Sequence, residues 1–153
     1  MQGGTVGLPG VAQLSVPMGA FSQSTTIQIA QIPKSSVDAD LALSAGMFVA
    51  SGYLNSAVRV TLQNQQPSVP VGVTLTVPAS FISSKPAGSA IRVLVATENA
   101  SDSEGPYAYF ELVSPTVNQS NSTLSFQAEP SYFAQTQGGN QTGTFVVALA
   151  PGP

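Results

Sequence analysis

The residues with the most evident capacity for chemistry are three carboxylates in one acidic segment. Glu98, Asp102 and Glu104 lie close together in the chain, among Asn, Ser and Gly residues. Ca²⁺ prefers carboxylate and carbonyl oxygens and takes about six to eight of them. The spacing does not match an EF-hand loop, however, and the same residue types are typical of a solvated hairpin turn. The segment therefore predicts a solvated loop, with a calcium site as the alternative and no other cofactor.

Two tyrosines form a second candidate site. Tyr107 and Tyr109 are two residues apart in a stretch that continues with Phe110. Residues at this spacing share one face of a β-strand, so two exposed rings would form a platform on which sugar rings could stack. Half-buried packing within a sheet uses tyrosines at the same spacing. A glycan-binding platform and ordinary sheet packing are therefore both open.

Asparagine occurs in an unusual context. Four of the six asparagines are followed two residues later by Ser or Thr: Asn99, Asn118, Asn121 and Asn140. This is the acceptor pattern for N-glycosylation, which requires the eukaryotic secretory pathway and a surface position. Asn, Ser and Thr also gather in turns because their side chains bond to nearby backbone. We interpret the four residues as glycosylation candidates of an exported protein.

The residue types on which most enzymes depend are absent from the sequence. The chain contains no Cys, His or Trp. This absence removes thiol nucleophiles, the Ser-His-Asp triad and the usual zinc sites. Nothing in the sequence brings Glu111 and Glu129 together as the carboxylate pair that glycoside hydrolysis needs. The sequence therefore predicts a protein that is not an enzyme and has no catalytic residues.

Charge is scarce and scattered. Of the 153 residues, 7% are charged and the formal net charge is -3. The four basic residues are Lys34, Arg59, Lys85 and Arg92. Dispersed cations cannot neutralise a run of phosphates or form a polybasic membrane patch, so we expect neither nucleic-acid binding nor membrane insertion by this domain. Average domains carry about 25% charged residues, and polarity supplied instead by Ser, Thr, Gln and Asn favours an extracellular or cell-surface location.

Alternating apolar and polar residues predict the elements that would position these side chains. In residues 57–63, for example, Val58, Val60 and Leu62 would face the core. Further candidate strands lie at 5–8, 12–16, 25–31, 46–51, 71–77, 90–97, 107–113, 123–127 and 144–149. Gly and Pro predict a tight turn at Pro9-Gly10 and loops at 33–40, 65–69, 80–89, 99–106 and 135–143. The expected fold is all-β: one antiparallel β-sandwich of about ten short strands over residues 1–150, with 151–153 as the start of a linker.

The opening residues resemble those of a known sandwich family. Gly-Gly-Thr-Val at 3–6 precedes a short strand, and a following apolar strand ends in Pro-Met-Gly-Ala at 17–20. A later segment, Pro-Val-Gly-Val-Thr-Leu at 70–75, is also similar. These features look like the ZU-five domain of zona-occludens, netrin-receptor and ankyrin proteins, and like related microbial surface modules. The resemblance covers nearly the whole chain and implies an immunoglobulin-like sandwich that contacts other proteins.

One departure from that family concerns self-cleavage. Some relatives cut their own chain within a His-Phe-Ser sequence, where Ser is the nucleophile. The matching residues here are Tyr132, Phe133 and Ala134. Because the methyl group of alanine cannot attack a carbonyl carbon, we expect this chain not to cleave itself.

The function expected from the sequence is a structural or interaction module within a longer extracellular or cell-surface protein. Its partners would be neighbouring domains or other proteins of a surface assembly, in a role of assembly or adhesion. Three alternatives stay open: a carbohydrate-binding module, an intracellular scaffold domain of the ankyrin type and a calcium-dependent adhesion module. Glycans on the candidate asparagines would exclude the intracellular scaffold, because the cytosol does not add them.

Overall fold

A computed structural model confirms the antiparallel all-β sandwich. It describes residues 3–23, 25–33, 52–63, 65–85, 87–99, 107–135 and 141–151. The strands are β1 (Gly4–Leu8), β2 (Ala12–Val16), β3 (Ile27–Pro33), β4 (Gly52–Leu62), β5 (Val71–Thr76), β6 (Ser89–Asn99), β7 (Tyr107–Val113), β8 (Thr116–Asn118), β9 (Thr123–Ala128), β10 (Ala134–Gln135) and β11 (Gln141–Pro151). The described residues also contain a short helix, α1 (Ala79–Ser83), and a 3₁₀ turn (Pro130–Tyr132).

The strands form two sheets. The first sheet has the order β1-β2-β5-β9-β8, and the second has the order β3-β4-β11-β6-β7 with β10 also paired to β11. Neighbouring strands are antiparallel throughout. Among the described strands, only five pairs are neighbours in both the chain and a sheet: β1 and β2, β3 and β4, β6 and β7, β8 and β9, and β10 and β11. Each sheet therefore brings together distant parts of the sequence.

Alternation places one face of the first sheet in the core. Val73 and Leu75 of β5 are buried, and they lie opposite Phe126 and Leu124 of β9. The alternate residues of β5, Gly72, Thr74 and Thr76, are half-buried or exposed. Because a slip of one residue would exchange the two sets, burial of this face fixes the register.

The second sheet contains the strand predicted to be central. β6 lies between β11 and β7, and Val93, Leu94 and Val95 in its middle are fully buried. Successive buried residues on one strand mean that both of its faces are covered there. The predicted inward set of β4, Val58 and Val60 with Leu62, is also buried and joins the same hydrophobic core.

The predicted turn between the first two strands is confirmed. The Val11 N–H donates a hydrogen bond to the Leu8 carbonyl at 3.0 Å. Gly10 has a φ of +75°. Pro followed by a residue with positive φ is the arrangement of a type II turn, and glycine takes that conformation without strain.

Two predicted loops are wrong in part. Residues 80–89 were expected to be a loop, but α1 occupies their start and buries Ile82. Pro78, with φ -60° and ψ 138°, leads into this helix. One helical turn is too short to show the 3.6-residue apolar spacing from which helices are predicted.

The loop expected at 135–143 is shorter than predicted. β10 ends at Gln135, and β11 begins at Gln141, which lies opposite Gln135. The polar residues at the start of β11 gave no apolar alternation, and backbone pairing makes them a strand. β8 was not predicted for the same reason: its three residues show no apolar alternation, and all of them are exposed.

Some predictions fall outside the described residues. These are the strand at 46–51, most of the loop at 33–40 and most of the loop at 99–106. At the other end of the chain, β11 extends to Pro151, which lies opposite Ser89 of β6. Residues 152 and 153 are not described.

Candidate interaction surface

None of the five strands described in the first sheet contains a charged residue. Their sequences are GTVGL, AQLSV, VGVTLT, TVN and TLSFQA. The second sheet differs, because β4 carries Arg59, β6 carries Arg92 and Glu98, and β7 carries Glu111. The described strands of the two sheets therefore differ in the charged residues that they contain.

The outer side of the first sheet is a continuous array of neutral polar groups. We call it the neutral face, and its centre is formed by Gln13, Ser15, Thr74, Thr76, Thr123 and Ser125. Gln13 lies opposite Thr74, which lies opposite Ser125, so the array crosses three neighbouring strands. The hydroxyl oxygens of Thr74 and Ser125 are 3.4 Å apart and share a hydrogen bond. Hydroxyl and amide groups both donate and accept, so this surface can match many hydrogen-bonding partners.

A shallow depression lies at one end of the neutral face. It has a volume of about 320 Å³ and lies beside the turn that joins β1 to β2. Gln13, Thr74, Thr76 and Thr123 line it together with the main chain of the turn. Its described lining contains no titratable side chain, so these residues offer no group for acid–base chemistry.

In the described part of the chain, the first sheet also has two edge strands that pair on one side only. β1 and β8 are its outermost strands among the described residues, and every residue of β8 is exposed. Beside β1, where it faces β3 of the second sheet, lies a small apolar opening of about 160 Å³. We call this opening the edge crevice; Val6, Val16, Phe21 and Ile27 supply its apolar lining.

Two glycosylation candidates share one turn of the first sheet. Asn118 ends β8, and its Oδ1 atom accepts a hydrogen bond from the Asn121 N–H at 3.2 Å. Both residues are exposed. N-linked glycans attach to the Nδ2 atom of asparagine, so a glycan on Asn118 would leave the Oδ1 bond of this turn intact. Asn99 is the last residue of β6, and Asn140 lies outside the described residues.

The tyrosine pair lies on an outer strand of the second sheet. Tyr107 and Tyr109 are the first and third residues of β7, opposite Asn99 and Thr97 of β6. β7 is the outermost strand of this sheet in the described part of the chain. The backbone therefore places both residues on one face of a strand, as the platform requires. Sugar stacking stays a prediction.

The acidic segment is only partly described. Glu98 lies in β6, whereas Asp102 and Glu104 lie outside the described residues. Within the residues that the structure describes, no three His, Cys, Asp or Glu side chains gather in a group that could hold a metal ion. The calcium site stays a prediction.

The residues that match the self-cleavage motif lie at a well-packed corner. Tyr132 and Phe133 are buried, and Ala134 begins β10. The side-chain amide of Gln66 donates to the carbonyl of Pro130 at 2.6 Å and to that of Phe133 at 3.1 Å. Gln66 carries no recognisable signal in the sequence, because it lies in the predicted loop at 65–69 and no motif marks a glutamine that bonds to distant carbonyls.

We expect Gln66→Glu to destabilise this corner. A carboxylate cannot donate, and it would place negative charge against two carbonyl oxygens that now accept hydrogen bonds. The expected loss in unfolding free energy is about 1–2 kcal/mol at neutral pH, measured by urea denaturation. Gln127→Glu on the exposed surface of β9 adds the same charge and is the matched control. Equal urea midpoints for the two variants would contradict the structural role of Gln66.

Comparison with known proteins finds no family model that matches the chain and no curated protein that is similar to it. Within the described residues, no helix has the length and apolar character needed to cross a membrane. The resemblance to ZU-five domains therefore stays a prediction.

Proposed function

We propose that the chain is a non-enzymatic structural or interaction module of a larger extracellular or cell-surface protein, and that it mediates protein–protein assembly or adhesion. The observation that carries this proposal is the neutral face, on a sheet whose described strands contain no charged residue. The proposal includes the finer fold type, an immunoglobulin-like sandwich of the ZU-five kind.

The physical reason is the cost of removing groups from water. A charged group is expensive to bury unless it is paired, whereas hydroxyl and amide groups can exchange water for a neutral hydrogen-bonding partner. The centres of protein interfaces are accordingly depleted in charged residues. A sheet that holds Gln13, Thr74 and Ser125 in one rigid row supports contact with another protein or a neighbouring domain.

Two further observations support a location outside the cell. Only 7% of the residues are charged, so the surface is polar mainly through Ser, Thr, Gln and Asn. Asn118 and Asn121, two of the glycosylation candidates, are exposed in the same turn. A glycan there would extend from the end of the first sheet next to β8.

The test places charge at the centre of the neutral face in the full-length parent protein. We expect Thr74→Glu combined with Ser125→Glu to release the protein from its assembly, because the two carboxylates would have to be buried side by side. Ser22→Glu combined with Ser114→Glu adds the same charge at two exposed positions off this face and is the matched control.

The measurement combines labelling and sedimentation. Intact cells are treated with a label that does not cross membranes, and the labelled protein is then sedimented. We expect the parent protein to be labelled, and the wild type and the control to sediment in a larger assembly than the face variant. Absence of label would contradict the location, and an unchanged assembly in the face variant would contradict the role of the neutral face. Equal urea midpoints for the two double variants would show that the fold is retained.

A further inference from the structure

We infer that β1 pairs with β1 of a second copy of this chain, so that the first sheet continues from one molecule into the other. This inference names one partner for the assembly role proposed above and rests on that role. Three features of β1 support it: an edge that is unpaired among the described residues, an apolar crevice beside that edge, and an uncharged sequence in which glycines lie opposite larger residues when two copies pair.

The first feature is the open edge. Among the described residues β1 pairs with β2 on one side only, and Gly4, Thr5 and Gly7 are exposed. In an antiparallel strand, alternate residues direct their N–H and C=O groups to opposite sides, so part of the β1 backbone points away from β2. Proteins usually protect such edges with Lys, Pro or a bulge. β1 has neither Lys nor Pro, and its pairing with β2 is regular from Gly4 to Leu8.

The second feature is the edge crevice. It opens beside β1 between the two sheets and is lined by Val6, Val16, Phe21 and Ile27. A strand added next to β1 would direct every second side chain toward this space. Strand addition uses main-chain hydrogen bonds for affinity and pockets for alternate side chains for specificity, and both are present here.

The third feature identifies the partner as a second copy. An antiparallel pair centred on Val6 puts Thr5 of each molecule opposite Gly7 of the other, and Gly4 opposite Leu8. A larger residue meets a glycine at each of these positions, and no like charges face each other across the strands. The net charge of -3 resides entirely off the strands of the first sheet. The pair is also two-fold symmetric, which is the commonest symmetry of protein dimers.

The test places like charges across this pairing. Thr5→Lys combined with Gly7→Lys would put lysine opposite lysine at two positions of the dimer. Both positions are exposed, and a Cβ atom at Gly7 would come no closer than 3.4 Å to any atom, which is ordinary contact. By sedimentation equilibrium we expect the wild type to be a dimer, and the dissociation constant of the Lys/Lys variant to be raised about tenfold or more.

The matched control is Thr5→Lys combined with Gly7→Glu. In the Val6-centred pair this variant puts lysine opposite glutamate, so we expect it to dimerise about as well as the wild type. Thr116→Lys on β8, the other edge of the sheet, should leave the dimer unchanged. A Lys/Lys variant that still dimerises, a Lys/Glu variant that is monomeric, or loss of the dimer in Thr116→Lys would each overturn the inference.

A monomeric wild type would also overturn the inference. That result would leave the proposed assembly role standing, because the sedimentation of labelled parent protein reports contact with neighbouring domains and other proteins through the neutral face. In the opposite outcome, the wild type is a dimer but the Thr74→Glu, Ser125→Glu variant keeps its assembly. That result would overturn the role of the neutral face and leave the β1 dimer standing. The two failures are therefore distinguishable.

Discussion

Phe145→Ala is expected to lower the free energy of unfolding by about 3–5 kcal/mol, the range for removing a fully buried aromatic side chain. Phe145 is fully buried in β11, the strand that joins β4 to β6. Its ring makes edge-to-face contacts with Phe126, at 5.4 Å between ring centroids, and with Phe133, at 6.2 Å. Phe126 belongs to the first sheet, and Phe133 follows the 3₁₀ turn. The substitution therefore removes the ring at which the two sheets and the 3₁₀ turn meet.

Urea denaturation followed by circular dichroism would measure this change. Phe81→Ala is the matched control, because Phe81 is only half-buried on α1 and packs against the border of the core. We expect the control to lose less than half as much stability, since a half-buried ring leaves a smaller cavity. Equal losses for the two variants would contradict the central place of Phe145.

Gly143→Ala is expected to cost about 1–3 kcal/mol, although it adds only a methyl group. A Cβ atom at this position would lie 2.7 Å from the carbonyl oxygen of Tyr132 and 3.1 Å from the ring of Phe133. The carbonyl oxygen belongs to the main chain of Tyr132, and the next residue, Phe133, is fully buried. The oxygen therefore cannot move aside without disturbing the core. Gly143 is also paired with Val60 of β4, which restricts movement of β11 itself.

Gly4→Ala separates steric crowding from the general effect of replacing glycine. A methyl group at Gly4 would meet no atom within 4 Å. Because alanine restricts the unfolded chain more than glycine does, Gly4→Ala should be neutral or slightly stabilising. Thermal unfolding of the two variants checks the comparison, and an equal decrease in Tm would show that crowding at Gly143 is not the cause.

The sequence predicts the strands whose side chains alternate and the turns that have a chemical signature. Val58, Val60 and Leu62 lie inward as expected, and the Pro9-Gly10 pair forms the expected turn. β8, β10 and α1 carry little or no apolar alternation, and backbone pairing or a single helical turn defines them. Local patterns cannot reveal such elements.

The candidate surface was not predictable for a different reason. The residues of the neutral face were all present in predicted strands, but nothing in the sequence says that β2, β5 and β9 are neighbours. The role of Gln66 could not be predicted for the same reason, because the two carbonyls that accept its hydrogen bonds, those of Pro130 and Phe133, are 64 and 67 residues away in the chain. A site assembled from distant uncharged residues has no spacing that a reader of the sequence can recognise.

The five strands described in the first sheet carry no ionisable side chain, and this has a consequence for the conditions under which the sheet can make contacts. Such a sheet has no proton to gain or lose, so acidification leaves its surface chemistry unchanged. Dissolved ions screen interactions between charges, and the described strands of this sheet carry no charges whose interactions could be screened. Contacts between two such sheets would therefore involve no charge on their described strands for salt to screen or for a change of pH to alter.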